Sequence, residues 1–187
     1  MDTINFPNSI NRICEHDQAI ARRLVEARLH AHTLDDFPGQ LPTSLEQAYD
    51  IQAASVTLWP DDVVAWKIAK FPPVDRGKVA AERLFGPEFR PMVRRDEAGS
   101  ATDAKIHDGG FAVIEAEFVL ELGAAVQPGD KRWTKDELSG LVSAAFGGAE
   151  IASSPMPGVI ELGGMAIIPD LGINVGVFAG PAIADFA

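Results

Sequence analysis

The sequence predicts an α+β fold, helices first and a mostly β portion after them. Three observations carry that prediction. Apolar residues recur at helical spacing between residues 9 and 31, and a second, capped segment ends at Trp59-Pro60. Beyond residue 60 the chain turns to β-branched and aromatic runs broken by Gly and Pro, the longest being FAVIEAEFVLELG at 111–123. One unit over 1–187 is expected, with 1–60 helical and 61–187 β-rich apart from one capped helix near 134–146.

The first helix is expected over 9–31, where Ile13, Ile20, Leu24 and Ala31 recur among Arg22, Arg23, Glu26 and Arg28. DDFPGQLP, 35–42, reads as a turn. Thr43 and Glu46 form a capping-box pattern for a second helix to about Leu58, and Pro60 cannot continue it. VVAWKIA, 63–69, is a strand by content. Residues 70–110 read as turns, a short helix around VAAERLF and the polar loop RRDEAGSATDAK. A strand at 111–122 precedes a turn at QPGDKRW. Thr134 and Glu137 then cap a helix TKDELSGLVSAAF that Gly147-Gly148 ends. Short apolar runs, GVIELGG, MAIIPD and INVGVFAG, complete the chain.

Composition narrows the function classes. Hydrophobic residues make up 47% and charged residues 23%, a globular balance. Net charge is −11 and the pI about 4.7, against the clustered Lys and Arg that nucleic acids and anionic membrane surfaces require. The single Cys14 excludes an internal disulfide or a cysteine zinc cluster and is expected to pack in or beside the first helix. MDTINFPNSINRICEHD lacks a basic segment followed by an apolar one, and no apolar run reaches the roughly 20 residues of a membrane span. A soluble cytoplasmic protein is the expectation.

Chemistry concentrates in acids set among apolar residues. In the 111–122 strand, Glu115 and Glu117 project from one face, about 7 Å apart at Cα. Their oxygens suit hard divalent cations, and two such carboxylates repel unless a cation intervenes. The alternative is a solvent-facing strand surface. Glu150, the sole acid between Glu137 and Glu161, is either strand decoration or a third ligand. Lys67 interrupts VVAWKIA either as an edge lysine or as an ammonium facing acids or substrate. Among His16, His30, His32 and His107 only His107, just before the central strand, is a candidate. Ser153-Ser154 lacks the nucleophile-elbow pattern, and FGGAE and ELGGM match no nucleotide-binding loop.

LPTSLEQAYDIQ, VVAWKIA, FGPEF, VIEAEFVLELG and TKDELSGLVSAAFGGAEI, in that order, resemble the 2-keto-4-pentenoate hydratase and 2-oxohepta-4-ene-1,7-dioate hydratase family. That family shares the fumarylacetoacetate hydrolase catalytic-domain fold with 4-oxalocrotonate decarboxylases, and the match spans about residues 10–185. The resemblance implies a mixed β-roll or sandwich, here without its C-terminal strands, since family members run further. It implies Glu115, Glu117 and Glu150 as ligands of Mg²⁺ or Mn²⁺, with Lys67 and Glu88 as catalytic residues. Asp170 and Asn174, in PDLGIN, match a segment that is structural rather than catalytic. It further implies a homo-oligomeric hydro-lyase acting on a small 2-oxo or 2-hydroxy acid in the meta-cleavage catabolism of aromatic compounds. A 4-oxalocrotonate decarboxylase, an acylpyruvate hydrolase or a catalytically silent paralogue on the same fold are the alternatives. Two departures stand out: Ala65 replaces the glycine before Trp66, and AEIASSP lacks the arginine that often follows the third acid.

Overall fold

The computed structural model describes residues 13–95, 103–126 and 132–184. The element order is α1 (Glu15–Leu29), α2 (Leu45–Leu58), β1 (Val63–Lys70), β2 (Arg83–Phe89), β3 (Val93–Arg95), β4 (Phe111–Leu122), α3 (Lys135–Ser139), β5 (Val142–Ser154), α4 (Val159–Leu162), α5 (Gly164–Ile167) and β6 (Asn174–Ala182). This is the expected α+β order.

The helices form for the reasons the sequence states, with shifted ends. α1 carries Ile20 and Leu24 into the core. The expected start at residue 9 lies outside the described residues, and Cys14, at its N-cap, is exposed rather than packed. α2 is capped one residue later than expected, because the Ser44 hydroxyl accepts from the Gln47 N–H while Gln47 Oε1 accepts from the Thr43 N–H. It ends at Leu58, before Trp59-Pro60, as expected.

β1 and β2 form a two-stranded antiparallel sheet. The helix expected around VAAERLF is absent, since from Arg83 the chain is strand. Leu84, Gly86 and Glu88 alternate inward, and pairing with β1 satisfies their backbone groups. The second sheet has the order β3-β6-β5-β4, parallel between β3 and β6 and antiparallel elsewhere. The long helix expected at 134–146 is overturned. Its capping box is real, with Thr134 and Glu137 reciprocally bonded, but the helix stops at Ser139. Residues 142–154 are β5, running beside β4 from Val142 opposite Leu122 to Ser154 opposite Phe111. Gly147 and Gly148, expected to end that helix, lie inside the strand, where Gly148 lets the Phe178 carbonyl approach closely. GVIELGG and MAIIPD form the short helices α4 and α5. The QPGDKRW turn and the middle of the 94–105 loop fall largely outside the described residues.

The core joins Ile20 and Leu24 of α1, Ala48 and Ile51 of α2, Leu84 of β2, Ala152 of β5, and Met156, Val159 and Ile168 after it. β4 lies at the sheet edge and is not buried on its apolar side, where Ile114 and Phe118 are 73% and 77% exposed. No helix among the described residues is long and apolar enough to cross a membrane.

Candidate metal centre and active site

Strand geometry builds the site from two sheets. Glu115 and Glu117 share a face of β4, and antiparallel pairing sets Glu150 of β5 directly opposite Glu115. One oxygen from each of these three carboxylates lies within 4.8 Å of the others. Glu150 therefore reaches the site from mid-strand, not from the segment following a helix. It is buried, while Glu115 and Glu117 are exposed, so the cluster has one closed and one open side.

β1 closes it. Lys67 is buried, donates to Glu150 Oε1, and lies 3.6 Å from Glu115 Oε2. It sits opposite Gly86, whose lack of a side chain lets the Leu171–Ile173 turn pack against β2. Glu88, two residues on, faces the same interior and is 3% exposed. Its Oε2 is buried with no hydrogen-bond partner among the described residues.

Electrostatics follow from this crowding. Burial pushes the Glu88 carboxyl up to about 8, with the Glu150 charge adding to it and Lys67 opposing. Burial also raises Glu150, against the pull of Lys67 and with a further rise from Glu115 and Glu117. Three convergent carboxylates, two of them open to solvent, form an all-oxygen donor set matched to a hard divalent cation. These three donors fit such an ion.

A second polar cluster escaped the sequence reading. Arg28, expected among the polar residues of α1, is buried and bonds Asp170 Oδ1 at 2.9 Å, the Ser153 carbonyl and the Asn174 carbonyl. Asn174 in turn donates to the Pro87 carbonyl, so this network ties α1 to β2, β5 and β6. The signal was available: Ile20, Leu24 and Arg28 recur every four residues on one stripe. Asp170 and Asn174 are thus buried framework residues. His107 is buried nearby, its pKa lowered to about 4 by burial and then by Arg28, and its backbone N–H donates to the Ser153 hydroxyl. It is not in the carboxylate cluster. His16 bonds the Gln40 backbone, and His30 and His32 stack together, all away from the site.

Comparison with solved structures finds 4-oxalocrotonate decarboxylase from Pseudomonas putida G7 in complex with calcium and acetate, at 16% identity and a TM-score of 0.62. The match covers 89% of this chain and 62% of that one. The same enzyme in complex with magnesium and adipate matches at 15% identity, also with a TM-score of 0.62 and the same coverage. Over the matched part the chain shares the fold of these two structures. It spans 62% of the length of those structures. No family model and no curated protein sequence matches it.

Proposed function

We propose that this chain is a divalent-metal-dependent hydratase that adds water to a 2-hydroxy-2,4-dienoate, giving a 4-hydroxy-2-oxo acid. The observation supporting this most is the meeting of Glu115, Glu117 and Glu150 beside a buried lysine and a buried glutamic acid. The fold is one on which proteins complexed with magnesium and calcium have been solved.

The three carboxylates would hold Mg²⁺ or Mn²⁺, which when bound supplies Lewis acidity toward the carboxylate and C2 oxygen of a 2-oxo acid. Lys67 and Glu88 are the groups beside them that hold or move protons. Turning the dienol into the conjugated ketone takes a proton from the C2 hydroxyl and delivers one to C5. We assign these transfers to Lys67 and Glu88, because Glu88 keeps its proton up to about pH 8 and Lys67 contacts Glu150 and Glu115 while its charge acts on Glu88. Water then adds its oxygen at C4 and a proton at C3, with the cavity beside Lys67 as the place for these carbons.

The activity for which the two similar structures are named favours one competing reading, decarboxylation of a 2-oxo-3-enedioate. Product analysis separates the two. Incubation of the dienoate with protein and Mg²⁺ should abolish its ultraviolet absorbance, give a product one water heavier and release no CO₂. A chain that binds the cation yet leaves the dienoate untouched would refute the hydratase assignment.

A further inference from the structure

The cavity that opens beside Lys67 and Glu115 has a volume of about 190 Å³. That is below the roughly 300–1,000 Å³ of sites for drug-sized ligands, so it suits a molecule of a few carbons. Away from Lys67 and Glu115 its wall is mainly hydrocarbon: Leu84 of β2, Phe111 and Val113 of β4, Ile160 of α4, Ile167 of α5, and Ile173. Lys70 also borders it. The alternation of β1, however, sets Lys70 on the exposed phase with Val64, Trp66 and Ile68, opposite Arg83 of β2. Lys67 is already committed to Glu150 and Glu115. Among the described residues, Lys70 is the one further cation bordering the cavity, and it is exposed rather than packed into this apolar wall.

A carboxylate pressed against such a wall loses its hydration and gains no counter-charge, whereas a methyl or vinyl end gains burial. We propose that the site selects short 2-oxo or 2-hydroxy acids whose far end is apolar and uncharged, and that Phe111, Ile160 and Ile167 set this selection. The inference rests on reading the carboxylate cluster as a 2-oxo acid site, and it deepens that reading by excluding dioates from the preferred substrates.

Two unreactive probes of equal carbon number isolate the point: 2-oxopentanoate and 2-oxoglutarate, which differ by a methyl against a carboxylate. Calorimetric titration of the Mg²⁺-loaded chain should show 2-oxopentanoate binding at least tenfold tighter. Ile160→Arg, at a half-buried position, supplies the missing cation and should narrow that ratio at least tenfold. Lys70→Ala should leave the ratio unchanged, and a selective loss of 2-oxoglutarate binding in this variant would overturn the proposal. Equal or tighter binding of 2-oxoglutarate by the wild-type chain also overturns it while leaving the 2-oxo acid reading in place. If neither acid binds to protein shown by titration to hold Mn²⁺, the 2-oxo acid reading itself fails and this inference with it.

Discussion

Lys67 of β1 and Glu150 of β5 form a buried ion pair that bridges the two sheets, with 6% and 4% of their side chains exposed. Removing one partner of a buried pair strands the other charge, which typically destabilises by about 3–5 kcal/mol. Lys67→Met should therefore lose stability of that order in urea denaturation with chelator present. Mg²⁺ or Mn²⁺ should recover much of it, because a ligand of the native state at a hundred times its Kd contributes about 2.7 kcal/mol. A variant as stable as wild type in chelator would show that the pair does not hold the sheets together.

Glu115 and Glu121 offer a matched comparison on one strand. Both are glutamates on the same face of β4, but Glu121 pairs with Arg95 and lies outside the carboxylate cluster. Glu115→Gln should weaken Mn²⁺ binding at least about tenfold, or ~1.4 kcal/mol, with Glu121→Gln close to wild type. Electron paramagnetic resonance of free Mn²⁺ reads both directly. Equal affinities in the two variants would remove Glu115 from the ligand set.

What could be read from the chain in advance depended on side-chain contrast. β4 alternates apolar and acidic residues from Ile114 to Phe118 and again from Leu120 to Leu122, so the shared face of Glu115 and Glu117 follows from period two alone. β5 is built mostly of Ala, Gly and Ser, which carry almost no periodic signal, and a true capping box just before it suggested helix. A cap marks where a helix starts, not how far it runs; pairing with β4 and β6 decides residues 142–154. Glu88 shows the same limit. It entered through resemblance, while propensity took the preceding residues for a helix, and only the β1 pairing turns it inward. The facing of Glu115 and Glu150 is a register across two strands, and nothing local to either segment encodes it.

Glu88 makes stability depend on pH in a calculable direction. Its folded pKa of about 8 is raised above the ordinary 4.5, so its contribution is fully present below pH 4.5 and lost as pH rises to 8. His107 runs the other way: lowered to about 4 from 6.5, it contributes above pH 6.5 and that contribution is lost as pH falls toward 4. Between 6.5 and 8 Glu88 acts without this opposition. A tenfold change in proton affinity on folding corresponds to ~1.4 kcal/mol, so Glu88→Gln should gain on metal-free wild type by roughly 3–5 kcal/mol by pH 8 and hold that gain above it. Denaturant melts of both proteins in chelator at pH 5, 6.5, 8 and 9 measure the difference. A difference that does not change with pH would mean Glu88 ionises freely in the folded chain.

Gly172 holds the far side of the same interior. Its φ is +70°, between Leu171 and Ile173 with φ of +56° each, and a Cβ added there would stand 2.7 Å from the Gly86 Cα. Gly86 is the register partner of Lys67, so this backbone contact sets how closely β2, and with it β1, approaches the acids. Gly172→Ala adds strain of about 1–3 kcal/mol from backbone conformation and pushes β2 outward besides. For a chain of this size that lowers Tm by about 2–4 °C per kcal/mol. The three carboxylates stand on β4 and β5, which this turn does not pair with, whereas Lys67 and Glu88 ride on the displaced hairpin. The expected signature is therefore split: reduced Tm and sharply reduced dienoate turnover, with Mn²⁺ binding weakened but retained, since Lys67 bonds a ligand while the three ligands themselves stay on β4 and β5. Loss of Mn²⁺ binding in step with turnover would instead show that the hairpin and the acid-bearing strands move as one body.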